Sequence, residues 1–158
     1  MLQRTRNPPM TVTYEYELSV DKGTVRLDRR RKHRPDRDRY DVEGTIPLSV
    51  LDCFDPETDG VMVAFAGLEQ GFPPGSFVRH DDKWRFKAPR RAKGIQRIDL
   101  RDNGRFKIQA RRVDFKTTTA DFPRLVDFSI SIGPTSGDTQ IQLDRRLRLR
   151  RGKRRGRR

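Results

Sequence analysis

The chain has little of what most protein chemistry is built from. Among its 158 residues Cys53 is the single cysteine, which excludes an internal disulfide and a cysteine-based zinc site. His33 and His80 are the only histidines. No run of about 18 apolar residues exists to span a membrane. Residues 1–10, MLQRTRNPPM, carry charge without the apolar stretch of a signal peptide. Neither G-x-G-x-x-G nor a G-x-x-x-x-G-K loop followed by Ser or Thr occurs, so the usual anchor of nucleotide-dependent enzymes is missing. Six alanines offer little to build helices from. Apolar residues are also scarce. Even with glycine counted they reach roughly 38%, against about 45–50% in an ordinary globular domain. Val, Ile, Leu and Phe make up about 23%, slightly above the level of roughly 20% below which high net charge implies disorder. A single domain with a thin core is therefore the expectation.

What the chain does have is positive charge, and it is concentrated. The formal net charge is +14, and the fourteen residues 145–158, RRLRLRRGKRRGRR, carry ten cations and no acid. With only Leu147 and Leu149 to bury, this tail is read as disordered in isolation, as are residues 1–10. A second cluster, residues 26–39, holds eight Lys or Arg and three Asp around Pro35, which reads as an exposed loop or a crossing between strands.

Between these clusters the hydrophobic pattern has period two. In TVTYEYELSV, Val12, Tyr14, Tyr16, Leu18 and Val20 alternate with polar residues, as on a strand with one buried face. The same alternation runs through Val25 and Leu27, then Tyr40, Val42, Gly44, Ile46 and Leu48, with Pro47 at an edge or ending the pairing. It continues in Trp84 and Phe86, in Phe106, Ile108 and Ala110, and in Val126, Phe128, Ile130 and Ile132. Ile141 and Leu143 follow after a break at residues 133–137. Residues 61–66, VMVAFA, are apolar on both faces and read as a central strand. Asp102-Asn103-Gly104 between two alternating runs predicts an antiparallel hairpin. Residues 55–60 and 72–76 have turn chemistry. Strands at roughly ten-residue spacing with such turns predict an all-β antiparallel sandwich over residues 11–144, with a small closed barrel as competitor and no helix of 12 residues or more.

Candidate chemistry is sparse. His33 sits among cations that oppose its protonation and metal binding. His80-Asp81-Asp82 are consecutive residues of a turn and do not face one another as a triad would; a solvated turn is the reading. Cys53, in LDCF, reads as a buried, inert thiol. Asp55, Glu57, Asp59 and Gly60 imitate the first half of a calcium loop. The apolar run from Val61 leaves no place for the later bidentate Glu, so an EF-hand is excluded and an Asx-type turn is expected. No catalytic, cofactor or metal residue is assigned, and the chain reads as a non-enzyme.

The tail carries the assigned site: Arg145, Arg146, Arg148, Arg150, Arg151, Lys153, Arg154, Arg155, Arg157 and Arg158, as a salt-sensitive polyanion-binding segment. Its partners would be an anionic surface, a glycan or nucleic acid, and without aromatics it has no means of stacking single-stranded bases. Arg85, Lys87, Arg105 and Lys107 form a solvated cationic face that would extend a basic strip if their strands are neighbours.

The ordered segments 23–48, 54–67, 72–89, 94–115 and 126–133 resemble a module that recurs, often in tandem, in secreted or surface proteins of myxobacteria-like bacteria. The most specific parts are PPGSF (residues 73–77) followed by KWRF (83–86), and the hairpin arm GRFKI (104–108). The resemblance covers about residues 22–143. It implies an immunoglobulin-like sandwich used as a structural or adhesive unit beside copies of itself, with no catalytic residues. The location expected is extracellular or cell-surface if the chain is part of a secreted protein, and cytoplasmic as written. The alternative function is a nucleic-acid-associated accessory protein that holds the phosphate backbone through the tail.

Overall fold

A computed structural model of the protein describes residues 14–27, 37–116 and 122–143. The expected disordered segments 1–10 and 145–158 lie outside these residues.

The chain forms an all-β sandwich. Its elements are β1 (Tyr14–Glu15), β2 (Ser19–Arg26), β3 (Asp38–Thr45), a short helix α1 (Leu48–Asp52), β4 (Val61–Phe65), β5 (Leu68–Phe72), β6 (Val78–His80), β7 (Lys83–Lys87), β8 (Gly94–Arg101), β9 (Arg105–Val113), β10 (Leu125–Ile132) and β11 (Thr135–Gln142). One sheet has the order β1-β11-β10-β4-β5 and the other β2-β3-β9-β8-β7-β6. All pairings are antiparallel except that of β1 with β11.

One apolar cluster fills the space between the sheets. Val42, Ile98, Leu100 and Ile108 from the six-stranded sheet face Val63, Phe65, Phe128 and Ile130 from the five-stranded one, all at most 1% exposed. Aromatic rings fix the separation. Tyr40 on β3 stacks on Phe65 of β4 at 4.2 Å between centroids, and Phe72 on β5 meets Phe86 of β7 at 4.5 Å. Such pairs add specific geometry to the burial of their area.

The predicted hairpin at residues 102–104 forms. Gly104 takes φ 86° and donates its N–H to the Arg101 carbonyl at 2.9 Å, while the Asn103 side chain accepts the Arg105 N–H. Only Gly104 adopts the left-handed conformation, so the connection is a turn closed by one special residue rather than one with two.

Several expectations are corrected. The strand predicted over residues 11–20 breaks after Glu15: β1 belongs to one sheet and β2 to the other, so the segment crosses the sandwich edge. Residues 61–66 are not apolar on two buried faces, because Met62 points to solvent at 45% exposure on a strand flanked by β10 and β5. Trp84 and Phe86 are half-buried rather than enclosed, since β7 lies next to the edge strand where the opposite sheet no longer covers it fully. The break at 133–137 shrinks to Gly133-Pro134, with Ser136 and Gly137 inside β11. Pro47 ends β3, which leaves Leu48 on α1 and 51% exposed.

Candidate polyanion-binding surface

The two sheets differ in charge before any contact is considered. The strands of the five-stranded sheet contain no Lys or Arg and four acids, Glu15, Glu69, Asp127 and Asp138. Those of the six-stranded sheet contain thirteen Lys or Arg against five acids. Strand alternation puts most of these cations on the solvent face, because the inward positions are taken by core residues.

Across the middle of that face the register builds a row of alternating sign. Lys22 stands opposite Glu43, Glu43 opposite Lys107, Lys107 opposite Asp99, and Asp99 opposite Arg85. Lys107 Nζ reaches Glu43 Oε1 at 2.7 Å. Asp99 accepts from Arg85 Nε at 2.7 Å and from Arg97 Nε at 2.8 Å, and its side chain is only 3% exposed beneath the two guanidinium groups. Burial pushes the Asp99 carboxyl pKa up, but hydrogen bonds and charge from Arg97 and Arg85 outweigh it and hold the group below the ordinary carboxylate value. Glu43 is likewise lowered, chiefly by its hydrogen bond from Lys107. Both carboxylates border a shallow depression of about 270 Å³ with Arg101, Arg105 and Lys107. Held ionised and already bonded to cations, neither is prepared to deliver or collect a proton.

Of the residues singled out in the sequence, Arg85 and Lys107 come together in this row, with Asp99 between them. Their strands β7 and β9 are separated by β8, so they are neighbours through an acid and not directly. Arg105 and Lys87 lie toward opposite ends of the same face. The assigned tail site, Arg145, Arg146, Arg148, Arg150, Arg151, Lys153, Arg154, Arg155, Arg157 and Arg158, lies outside the described residues, as does His33. His80, Asp81 and Asp82 form an exposed turn between β6 and β7. Asp55 and Asp59 spend their carboxylates on local backbone: Asp59 accepts the Asp55 N–H at 2.9 Å and Asp55 accepts that of Glu57 at 3.0 Å, the Asx turn expected. Cys53 is corrected. It caps α1 and is exposed, because the buried positions of this segment go to Val50 and Phe54. Among the described residues no group of three or more His, Cys, Asp or Glu is placed to hold a metal ion, and no helix is long and apolar enough to cross a membrane.

Sequence reading missed Asp99, and it held Arg26 and Arg39 as the ends of one basic cluster without placing Arg111 beside them. These arginines stand in register on β2, β3 and β9. Register between distant strands leaves no local trace, so only the pairing shows them side by side.

No protein family matches the chain, and neither a characterised protein nor a solved structure is similar enough to match it.

Proposed function

We propose that the chain is a non-enzymatic, immunoglobulin-like binding module that attaches to polyanions through the cationic side of its sandwich. The observation that carries this reading is the segregation of charge between the two sheets, thirteen cations on one and none on the other. Charge on one face gathers counter-anions over a continuous surface, whereas the same charge spread over the molecule would serve solubility alone. The cations of residues 145–158 add a second attachment of the same sign. The non-enzymatic reading is supported by Asp99 and Glu43, whose lowered pKa values and existing cation partners are the reverse of what acid–base work requires.

The immunoglobulin-like class is supported by strand order. β2-β3-β9-β8 runs as A-B-E-D of such a domain, and β11-β10-β4-β5 as G-F-C-C′. β7 and β6 then extend the first sheet beyond strand D. Placement in a secreted or surface bacterial protein beside copies of the module rests on the sequence resemblance.

Binding of the full-length protein to heparin and to a short DNA duplex, measured from about 50 to 300 mM salt, tests the reading. Log affinity is expected to fall linearly with log salt for both ligands. A protein that binds neither at about 50 mM salt is not a polyanion-binding module.

A further inference from the structure

Many cations of the six-stranded sheet have an acid beside them, Arg79 with Asp102 and, more loosely, Lys83 and Arg101 with Asp82 among them. Those of the middle row are matched to acids: Lys107 to Glu43, and Arg85 and Arg97 to Asp99. At the end of the sheet where β2 leaves and β3 enters, the pattern changes. Arg26 stands directly opposite Arg39, and Arg39 directly opposite Arg111, on three adjacent strands. All three are exposed, and none makes an ion pair or side-chain hydrogen bond among the described residues. Asp41, two residues from Arg39 along β3, stands opposite Thr24 and Gln109 and opposite none of the three arginines. Like charges directly opposite across strands destabilise a sheet. The fold tolerates this repulsion here while neutralising it a few residues away.

The backbone reinforces the cluster. A bulge in the pairing of β3 with β9 sets Arg111 and Arg112 both outward, between buried Ala110 and Val113. Arg112 holds φ 57° and donates from its guanidinium to the carbonyl of Arg91, which itself has φ 72°. Non-glycine residues in this region carry backbone strain.

We infer that Arg26, Arg39 and Arg111 form a docking strip for the phosphodiester backbone of duplex nucleic acid. This rests on the polyanion reading above and gives it a partner class and a place. All three residues are arginine, whose planar fork matches phosphate oxygens in a way that a lysine point charge does not. Two strand spacings separate Arg26 from Arg111, about 10 Å, and long arginine side chains fan out from that span far enough to meet successive phosphates of one duplex strand. The exposed large apolar side chains Leu48, Met62, Val78 and Leu125 lie elsewhere on the fold, so the strip has no wedge with which to enter a lipid surface.

The test uses the full-length protein and a 20-base-pair DNA duplex, with heparin and anionic vesicles in parallel. The triple variant Arg26→Gln, Arg39→Gln, Arg111→Gln is compared with Lys83→Gln, Arg101→Gln, Arg105→Gln, which removes the same charge from the opposite end of the face. Three phosphate contacts are worth about 2.7 in the slope of log affinity against log salt. The arginine-strip variant is expected to lose most of that slope and at least about tenfold in DNA affinity near 100 mM salt, while the control loses less than about 1 in slope. Its melting temperature is expected to be unchanged or higher at low salt because repulsion is relieved, and Arg39→Gln alone gives the same sign of binding loss with the least perturbation. Equal losses in both triple variants would assign DNA binding to the general field of the face and overturn the strip while leaving polyanion binding intact. Loss of heparin or vesicle binding with DNA binding unchanged would overturn the nucleic-acid assignment. Failure of the unmodified protein to bind DNA or heparin would remove both readings.

Discussion

Tyr16 adds a side-chain bond to the backbone pairing that holds the first described segment to the five-stranded sheet. Its hydroxyl donates to the Ile130 carbonyl at 2.7 Å, and its ring occupies the space over Gly137, where a Cβ would come within 2.3 Å of the ring. Tyr16→Phe keeps the ring and removes the bond, so a loss of about 1 kcal/mol in denaturant unfolding is expected. Gly137→Ala is expected to cost more, because the ring must move. Asp99 answers to pH. Its folded pKa is below the ordinary carboxylate value, so the unfolded chain takes up the proton first as pH falls. The stabilisation is present in full above about pH 5 and is lost as pH drops through the unfolded and then the folded value. Asp99→Asn should cost about 2 kcal/mol near neutral pH and flatten the acid limb of stability against pH; an acid limb of unchanged shape would show that Asp99 does not contribute to it. Neither role was legible in the sequence. Tyr16 reads there as one more apolar position of an alternating strand, and Asp99 as one polar position between Ile98 and Leu100, because the partners of both are set by pairing with distant strands.

At the scale of elements, legibility followed burial. β3, β9 and β10 are interior strands with one covered face, so Tyr40, Val42, Phe106, Ile108, Phe128 and Ile130 alternate cleanly and were readable. β5 and β6 were not. β5 carries Gln70 at an inward position where an apolar residue would announce it, and β6 is an edge strand of three exposed residues. Bulges at Val20/Lys22 and Ile95/Arg97 shift the phase of β2 and β8 midway, which a fixed period cannot follow. The β4–β5 hairpin turns on Ala66-Gly67 with Phe65 paired to Leu68, and both turn residues have positive φ, 50° and 81°. Alanine is a poor occupant of that conformation, which is why the turn was invisible. Ala66→Asn is expected to stabilise the protein by about 1 kcal/mol and raise Tm by roughly 2–4 °C; a lower Tm would mean that the packing of Ala66 against the core outweighs turn strain. Trp84 shows the opposite correction. Its half-buried ring touches Phe54 edge-on at 6.3 Å and lies under the Arg79 guanidinium at 5.4 Å, so Trp84→Ala should cost about 1–2 kcal/mol, less than the 3–5 kcal/mol of an enclosed tryptophan.

At the scale of the molecule, the number of charges was legible and their arrangement was not. Composition showed a cation excess and located its densest part in residues 145–158, and on the body it offered only Arg85, Lys87, Arg105 and Lys107 as a solvated face that could extend a basic strip. Sheet topology produces that face: chain order distributes Lys and Arg over β2, β3 and β6 to β9, and pairing then assembles those strands into one sheet. Truncation separates the two cationic parts. Among the described residues the core runs from Leu18 to Ile141, with Leu143 packed at its margin, so a chain ending at residue 144 keeps every core contact described. Its Tm is expected within about 3 °C of the full-length value. Binding to a DNA duplex should weaken, because ten cations are removed. It should not vanish, because Arg26, Arg39 and Arg111 remain, and a residual salt slope of about 2–3 should persist. A truncated protein that no longer binds DNA at about 50 mM salt would place all the attachment in the tail and deny the sheet its role. A truncated protein with the full-length slope would place all of it on the sheet.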